Sequence, residues 1–188
     1  KASAVLPSYN RIVVDEAHNI EDAATSHLGV EVTRRGLYRL LSRLERSGRG
    51  VLPAIYDQIT TGAEQGRELQ ERIETRIRPA LVQARLEVEG FVDAIEQILP
   101  SGKSTIRIGS SGVGEPAERG EVGEQLSASL NALATLGREL SELEARIELD
   151  ENISDRLEGR LLDLRAIRRR LAAARHGLGL VLTPGEKA

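Results

Sequence analysis

Cysteine and methionine are both absent from this chain of 188 residues. The absence of cysteine excludes disulfides, cysteine-ligated zinc and an iron–sulfur cluster within the chain. Methionine is missing even at position 1, and the sequence opens abruptly, with only a short proline-containing lead at 1–8 before a strong motif. These features predict an excised segment of a longer protein.

Aromatic residues are scarce, being limited to Tyr9, Tyr38, Tyr56 and Phe91. The apolar residues are therefore Leu, Ile, Val and Ala, which suit helix packing better than an aromatic-rich β-sandwich. A chain of this length can form one domain, or one domain plus a fragment, around a real core. The expected fold is mainly α.

Long apolar runs are also missing: no stretch of about 18 apolar residues could span a membrane. The first residues carry no apolar signal-peptide core either, so we expect a cytoplasmic protein without membrane contact. The net charge of −3 argues against a generally basic nucleic-acid binder, and any DNA contact must come from a local patch. Nearly all basic residues are arginine, a bias that phosphate recognition or a GC-rich genome would produce.

The clearest pattern that is present consists of two apolar seams with the same 4-3-3-4-3-4 spacing, offset by 31 residues. They predict two helices joined by the polar stretch 150–154, forming a long antiparallel helical hairpin. The first seam is Leu126, Leu130, Leu133, Leu136, Leu140, Leu143 and Ile147, and the second is Leu157, Leu161, Leu164, Ile167, Leu171, Ala174 and Leu178.

Shorter helices are predicted ahead of the hairpin. Thr33 is a candidate N-cap for a helix whose apolar stripe is Leu37, Leu40, Leu41 and Leu44. A short helix should begin at Pro53, and a long one should cover 63–99 and be bent or divided by Pro79. The composition near 101–123 predicts a Gly/Ser-rich loop. Brief strands at 30–32, 105–108 and 180–183 could form a small β element at one end of the bundle.

The strongest local motif lies near the start, where Ile12, Val13 and Val14 are followed at once by Asp15 and Glu16. Such a run fits a strand buried in a parallel sheet, which places the two acids at its carboxyl end, where α/β sheets bind ligands. In nucleotide hydrolases an Asp at that place helps hold Mg²⁺, and a Glu beside it can polarise the attacking water. A strand end with solvated acids is the plainer interpretation of an isolated Asp-Glu pair.

The complete string Asp15-Glu16-Ala17-His18 resembles motif II of superfamily 2 helicases, the DEAH box. Residues 6–22, LPSYNRIVVDEAHNIED, strongly resemble the XPD/DinG family of iron–sulfur DNA helicases, and residues 29–37 resemble that family's entry into its Arch domain. The resemblance implies a motor-domain piece at 1–22, followed by a helical Arch-like insertion at 23–188.

This resemblance also implies roles for individual residues. Asp15 would bind Mg²⁺, Glu16 would activate water, and His18 would couple the nucleotide site to DNA. The parent protein would be an ATP-dependent 5′→3′ DNA helicase of DNA repair. It would use ATP, Mg²⁺ and a 4Fe–4S cluster bound outside this segment, with single-stranded DNA and the remaining helicase domains as partners.

The isolated chain lacks features of that family that ATP hydrolysis and cluster binding require. It has no cluster cysteines, and Gly102-Lys103-Ser104 is not a phosphate-binding loop because Gln97 stands where the pattern needs glycine. We therefore expect no ATP turnover and no cofactor in the chain alone. His18 lacks a second ligand at metal-binding spacing.

Two arginine groups are candidates for DNA contact. The first group lies on the face of a predicted helix away from its leucines and consists of Arg35, Arg39, Arg43 and Arg46. The second group crowds the last helix and consists of Arg165, Arg168, Arg169, Arg170 and Arg175, of which the first three are the preferred patch. Clustered arginine can bind phosphates, although a solvated helix face with internal ion pairs is the simpler interpretation. The alternative to a helicase fragment is a helical protein–protein interaction module that pairs through its apolar seams.

Overall fold

The structure is a computed structural model that describes residues 32–59, 64–98 and 116–180, with side chains described from residue 120 onward in the last range. These residues form helices α1 (Arg34–Leu44), α2 (Val51–Gln58), α3 (Glu64–Arg72), α4 (Arg78–Ile98), α5 (Pro116–Glu148) and α6 (Glu151–Gly179), with a π-helical turn at Ile73–Ile77. The prediction of a mainly α helical bundle is confirmed. The predicted small β element lies outside the described residues except for Val32 and Leu180, neither of which is in a strand.

Helix α1 forms as its sequence pattern predicts. The Thr33 side chain accepts a hydrogen bond from the Gly36 N–H at 3.0 Å, which satisfies one of the free donors at the helix start. All four leucines of the predicted stripe are buried. The chain then reverses through a tight turn in which Ser47 and Gly48 both have positive φ, as a type I′ turn requires.

Helix α2 starts at Val51, two residues before the predicted start at Pro53. Proline is tolerated there because the N–H groups of the first helical turn have no partner within the helix. Leu52 and Ile55 are fully buried. The short helix thus exists because its apolar side chains pack into the common core.

The long predicted helix is observed as α3, the π-helical turn and α4 in direct succession. The π turn ends just before Pro79, and the Arg78 N–H donates to the Ile73 carbonyl, five residues back. Proline has no N–H for the regular ladder, and an inserted residue is a common way for a helix to accommodate such a break. Ile73, Ile77 and Leu81 remain fully or almost fully buried across it.

The helical hairpin consists of α5 and α6, and its predicted seams are confirmed. Twelve of the fourteen seam residues are buried, and Leu130 and Ala174 are partly buried against the same core. Asp150 caps α6 by accepting from the Ile153 N–H at 3.1 Å. Arg165 on α6 reaches Glu144 on α5, which fixes the antiparallel register.

The predicted loop near 101–123 is wrong over its last eight residues, because α5 begins at Pro116. Proline is favoured at the first position of a helix, and Val122 packs against the core. That packing offsets the poor helix propensity of Gly120 and Gly123, which misled the prediction from composition. The rest of the predicted loop lies outside the described residues.

Packing joins the remaining helices to the hairpin. Helix α4 runs along α5, while α1 and α2 lie against α6. The buried Ser129 hydroxyl on α5 donates to the Glu87 carbonyl on α4 at 2.7 Å. Arg85 of α4 donates to the carbonyls of Leu41 and Glu45, and so caps the carboxyl end of α1. These bonds join α4 to α5 on one side and to the end of α1 on the other.

Candidate nucleic-acid interface

Charge is strongly segregated along the helices. Three segments, 34–44 on α1, 126–138 on α5 and 164–179 on α6, contain no Asp or Glu at all. Together they carry ten of the arginines in a chain whose net charge is −3. These arginines are Arg34, Arg35, Arg39, Arg43, Arg138, Arg165, Arg168, Arg169, Arg170 and Arg175.

The tertiary structure brings these three segments together. In the antiparallel hairpin Gly137 lies opposite Leu171, so the acid-free part of α5 faces the acid-free part of α6. Helix α1 packs on the same stretch of α6, where Leu40 and Ala174 line one groove. We call this region, formed by 34–44, 126–138 and 164–179, the basic end. Acids flank these segments in the hairpin sequence: Glu118, Glu121 and Glu124 precede 126–138 on α5, Glu139 follows it, and Asp163 precedes 164–179 on α6.

Four arginines of the basic end have carboxylate partners. Arg165 donates to Glu144 at 2.6 Å and also to Glu148, and these hydrogen bonds raise the pKa of Arg165. Arg168 donates to the second oxygen of Glu144 at 3.1 Å. The other two pairs are Arg34 with Glu96 and, at 3.8 Å, Arg43 with Asp163.

These ion pairs bear on the arginines predicted to contact DNA. Arg165 and Arg168 clasp α5 to α6 through the largely buried Glu144, so a structural role is sufficient to explain them. Arg35, Arg39 and Arg169 are exposed and have no ion-pair partner among the described residues. DNA contact by any of the five stays a prediction, and the last three are the better placed for it.

Three further arginines of the basic end, Arg138, Arg170 and Arg175, also have no ion-pair partner within the described ranges. Arg138 was missed by sequence reasoning, since no other arginine lies within seven residues of it in the sequence and it joins the others only through the hairpin register. The signal that could have found it was the acid-free run at 126–138 when aligned antiparallel to 164–179.

A first groove lies between α1 and α6 and has a volume of about 290 Å³. Its floor is apolar, formed by Val32, Gly36, Leu37, Leu40 and Ala174. Its charged lining residues within the described ranges are Arg39, Arg43 and Arg170, and no acidic side chain of those ranges lines it. An anionic ligand is the chemistry that such a lining favours.

A second groove lies on the other side of α6, between α5 and α6, with a volume of about 250 Å³. Small residues open it, because a Cβ added at Gly137 would first meet Leu171, at 4.0 Å. Its floor also includes Ala134 and Ala172. Its charged lining residues are Arg138, Arg168 and Arg175, again without an acid from the part of the chain that the structure describes.

Aromatic platforms for base stacking are largely occupied. The Arg34 guanidinium lies 5.6 Å from the centre of the Tyr38 ring, and the Arg78 guanidinium lies 5.5 Å from that of Tyr56. The Tyr38 hydroxyl is buried. The basic end is therefore equipped for backbone phosphates and not for stacking on tyrosine.

The predicted catalytic residues Asp15, Glu16 and His18 lie outside the described residues, as does the Mg²⁺ assignment to Asp15. The domain boundary predicted at 22/23 lies outside them too. Within the described ranges no group of three or more His, Asp or Glu side chains could hold a metal ion. No helix in those ranges is both long enough and apolar enough to cross a membrane.

Comparison with known proteins gives no relative: no family model, no curated protein and no solved structure matches the chain.

Proposed function

We propose that the chain is part of a DinG/XPD-type 5′→3′ DNA helicase, consisting of its motif II and the helical Arch-like region that follows. Its role is to guide single-stranded DNA, in the cytoplasm, alongside the remaining helicase domains. The parent would hydrolyse ATP with Mg²⁺ and carry a 4Fe–4S cluster outside this segment. In it Asp15 would bind the metal, Glu16 would activate water and His18 would relay the nucleotide state.

The observation that carries the DNA-guiding role is the basic end. Three segments that contain ten arginines and no Asp or Glu converge there in a chain of net charge −3, and six of the arginines have no ion-pair partner among the described residues. Uncompensated guanidinium groups on a solvated surface attract phosphodiesters and release counterions when they bind. The motif at 6–22 supports the helicase part of the proposal, and the basic end supports contact with DNA.

The DNA-binding test is fluorescence anisotropy of a labelled oligothymidylate with the whole 188-residue chain over a salt series. With three or four phosphate contacts, the log of the affinity should fall with the log of salt at a slope of roughly −2 to −3. The variant Arg35→Ala/Arg39→Ala/Arg169→Ala should bind more weakly and with a shallower slope.

The matched control removes exposed arginines from outside the basic end. Arg67→Ala/Arg76→Ala changes two charges on α3 and the π turn, where Glu68 and Glu71 lie nearby. It should leave binding close to the wild type. Absence of binding at low salt would reject the DNA-guiding role. A loss of affinity per removed charge in the control as large as that in the triple variant would also reject it.

The helicase identity has a separate test in the parent gene. A G-x-x-x-x-G-K-S/T loop and four cysteines should be encoded ahead of Lys1, and their absence would reject the assignment. The isolated chain should show no ATP turnover, because the phosphate-cradling loop is not among its 188 residues.

A second candidate function is a helical protein–protein interaction module. One surface favours it: Val82 and Leu86 lie one turn apart on α4 and are more than half exposed. Sedimentation velocity distinguishes the two. Tight self-association that Val82→Ser/Leu86→Ser abolishes, with no affinity for DNA, would favour the interaction module.

A further inference from the structure

We propose that a single strand of nucleic acid crosses α6 at the basic end, with its phosphates held in the two grooves on either side of the helix. This inference rests on the proposed DNA-guiding role and adds a path for the strand. Arg39 and Arg170 serve the groove between α1 and α6, and Arg138 and Arg175 serve the groove between α5 and α6.

The two grooves share one construction although they involve different helices. Each has a floor of aliphatic and small residues and three arginines in its lining, and no acid among the described residues lines either one. Both use α6 as a common wall, through Arg170 and Ala174 on one side and Arg168, Leu171 and Arg175 on the other. A ligand that fills both must pass over α6.

Each groove keeps at least two arginines available for such a ligand. Among the described residues, Arg43 is the only arginine of the first groove with a carboxylate partner, and Arg168 is the only one of the second. The guanidinium fork binds phosphate oxygens through two parallel hydrogen bonds, so two arginines suffice to hold one phosphate. The two paired arginines keep the helices in register at the same time.

The surface between the grooves fits a strand that continues across it. Arg170 lines the groove between α1 and α6, Arg168 lines the groove between α5 and α6, and Arg169 between them is exposed. An α-helix with its side chains is about 10 Å across, so a small free anion cannot bridge the two grooves. A polymer of phosphodiesters can, and its second contact is then intramolecular, which raises the apparent affinity.

The test measures affinity against oligonucleotide length. Fluorescein-labelled oligothymidylates of 2 to 12 nucleotides are titrated into the full chain at low salt, with anisotropy as the readout. For the wild type, affinity should rise steeply, by roughly tenfold or more, at the length that first reaches both grooves. Shorter oligonucleotides and inorganic phosphate should bind weakly.

Two groove variants locate the contacts. Arg39→Ala/Arg170→Ala empties the first groove of its unpaired arginines, and Arg138→Ala/Arg175→Ala does so for the second. Either variant should remove the steep rise with length. The variant with all four substitutions should lose less affinity than the product of the two separate fold-losses, because either pair of substitutions already prevents the strand from binding in both grooves.

Further variants distinguish the loss of a specific arginine–phosphate contact from the loss of overall charge or of folding. Arg67→Ala/Arg76→Ala removes the same number of charges elsewhere and should keep the steep rise. Arg170→Lys/Arg175→Lys keeps the charge without the fork and should give an intermediate affinity. Urea unfolding followed by circular dichroism verifies that each variant is folded.

The outcomes separate this inference from the proposed function. If the chain binds oligothymidylate but both groove variants retain the steep rise, the path across α6 is wrong and DNA guiding stands. If the wild type binds no oligonucleotide at low salt, DNA guiding itself fails. Competition by polyglutamate as strong as that by oligothymidylate at equal charge would overturn the assignment to phosphates.

Discussion

The core of the hairpin can be tested with two leucines on the same helix. Leu164 and Leu162 lie two residues apart on α6, and the helix turns one into the core and the other toward solvent. Leu164 is fully buried, whereas Leu162 is 59% exposed. Replacing each by alanine removes the same atoms and changes helix propensity equally, so any difference between the variants reports burial.

The magnitude follows from that difference in burial. Leu164→Ala removes a side chain from a closely packed core and leaves a cavity, which costs about 3 kcal/mol of unfolding free energy or more. Leu162→Ala should change the unfolding free energy by about 0.5 kcal/mol or less, as surface substitutions do. For a chain of this size, a loss of 3 kcal/mol lowers the melting temperature by about 6–12 °C.

The assay is urea unfolding followed by circular dichroism at 222 nm, since the described residues are almost entirely helical and the chain has no tryptophan. The midpoint should fall for Leu164→Ala at an unchanged slope, which identifies a change in stability. Equal effects of the two substitutions would refute the buried seam of α6. A changed slope for Leu164→Ala alone would show that the chain does not unfold in one step.

Three further predictions concern glycine and the clasp of the hairpin. Gly159→Ala should raise the unfolding free energy by about 0.5–1 kcal/mol in urea melts, because this glycine lies within α6 with open space around it. Gly50→Ala should lower the free energy of unfolding by more than about 1 kcal/mol in the same melts, since φ is +136° and the new Cβ would lie 2.5 Å from a backbone carbonyl oxygen of α1. Gly48→Ala, which has open space around the new Cβ, should lower it less. A larger loss for Gly48→Ala than for Gly50→Ala would contradict this explanation. Glu144→Gln should lower the free energy of unfolding by about 1–3 kcal/mol in the same melts, because it removes the largely buried carboxylate shared by Arg165 and Arg168. It should increase oligonucleotide affinity in anisotropy, because Arg168 loses its carboxylate partner. Unchanged affinity would show that Arg168 takes no part in binding.

Much of the fold was predictable because local signals agreed with it. The Thr33 cap, the leucine stripe of α1 and both hairpin seams are confirmed. These features depend on residues a few positions apart, which the helix geometry relates directly. The start of α5 was not predictable from composition, because packing of Val122 outweighs two poor helix formers.

The candidate interface was only partly predictable. Arginine clusters on α1 and α6 are visible in the sequence, and Arg35, Arg39 and Arg169 were identified there. The partners of Arg165 and Arg168 were not, since Glu144 lies 21 and 24 residues away on another helix. Which arginines are paired with a carboxylate depends on distances between helices, and a local sequence pattern does not contain those distances.

The sequence by itself determined that the described region is helical, where its helices lie and which faces are apolar, because each of these follows from the period of one helix. It also holds the motif at 6–22, on which the helicase proposal depends. Only the tertiary structure decided that three acid-free segments, on α1, α5 and α6, meet at one end of the bundle. Antiparallel pairing brings 126–138 of α5 against 164–179 of α6, and α1 packs beside them, so a chain with net charge −3 presents a local basic surface.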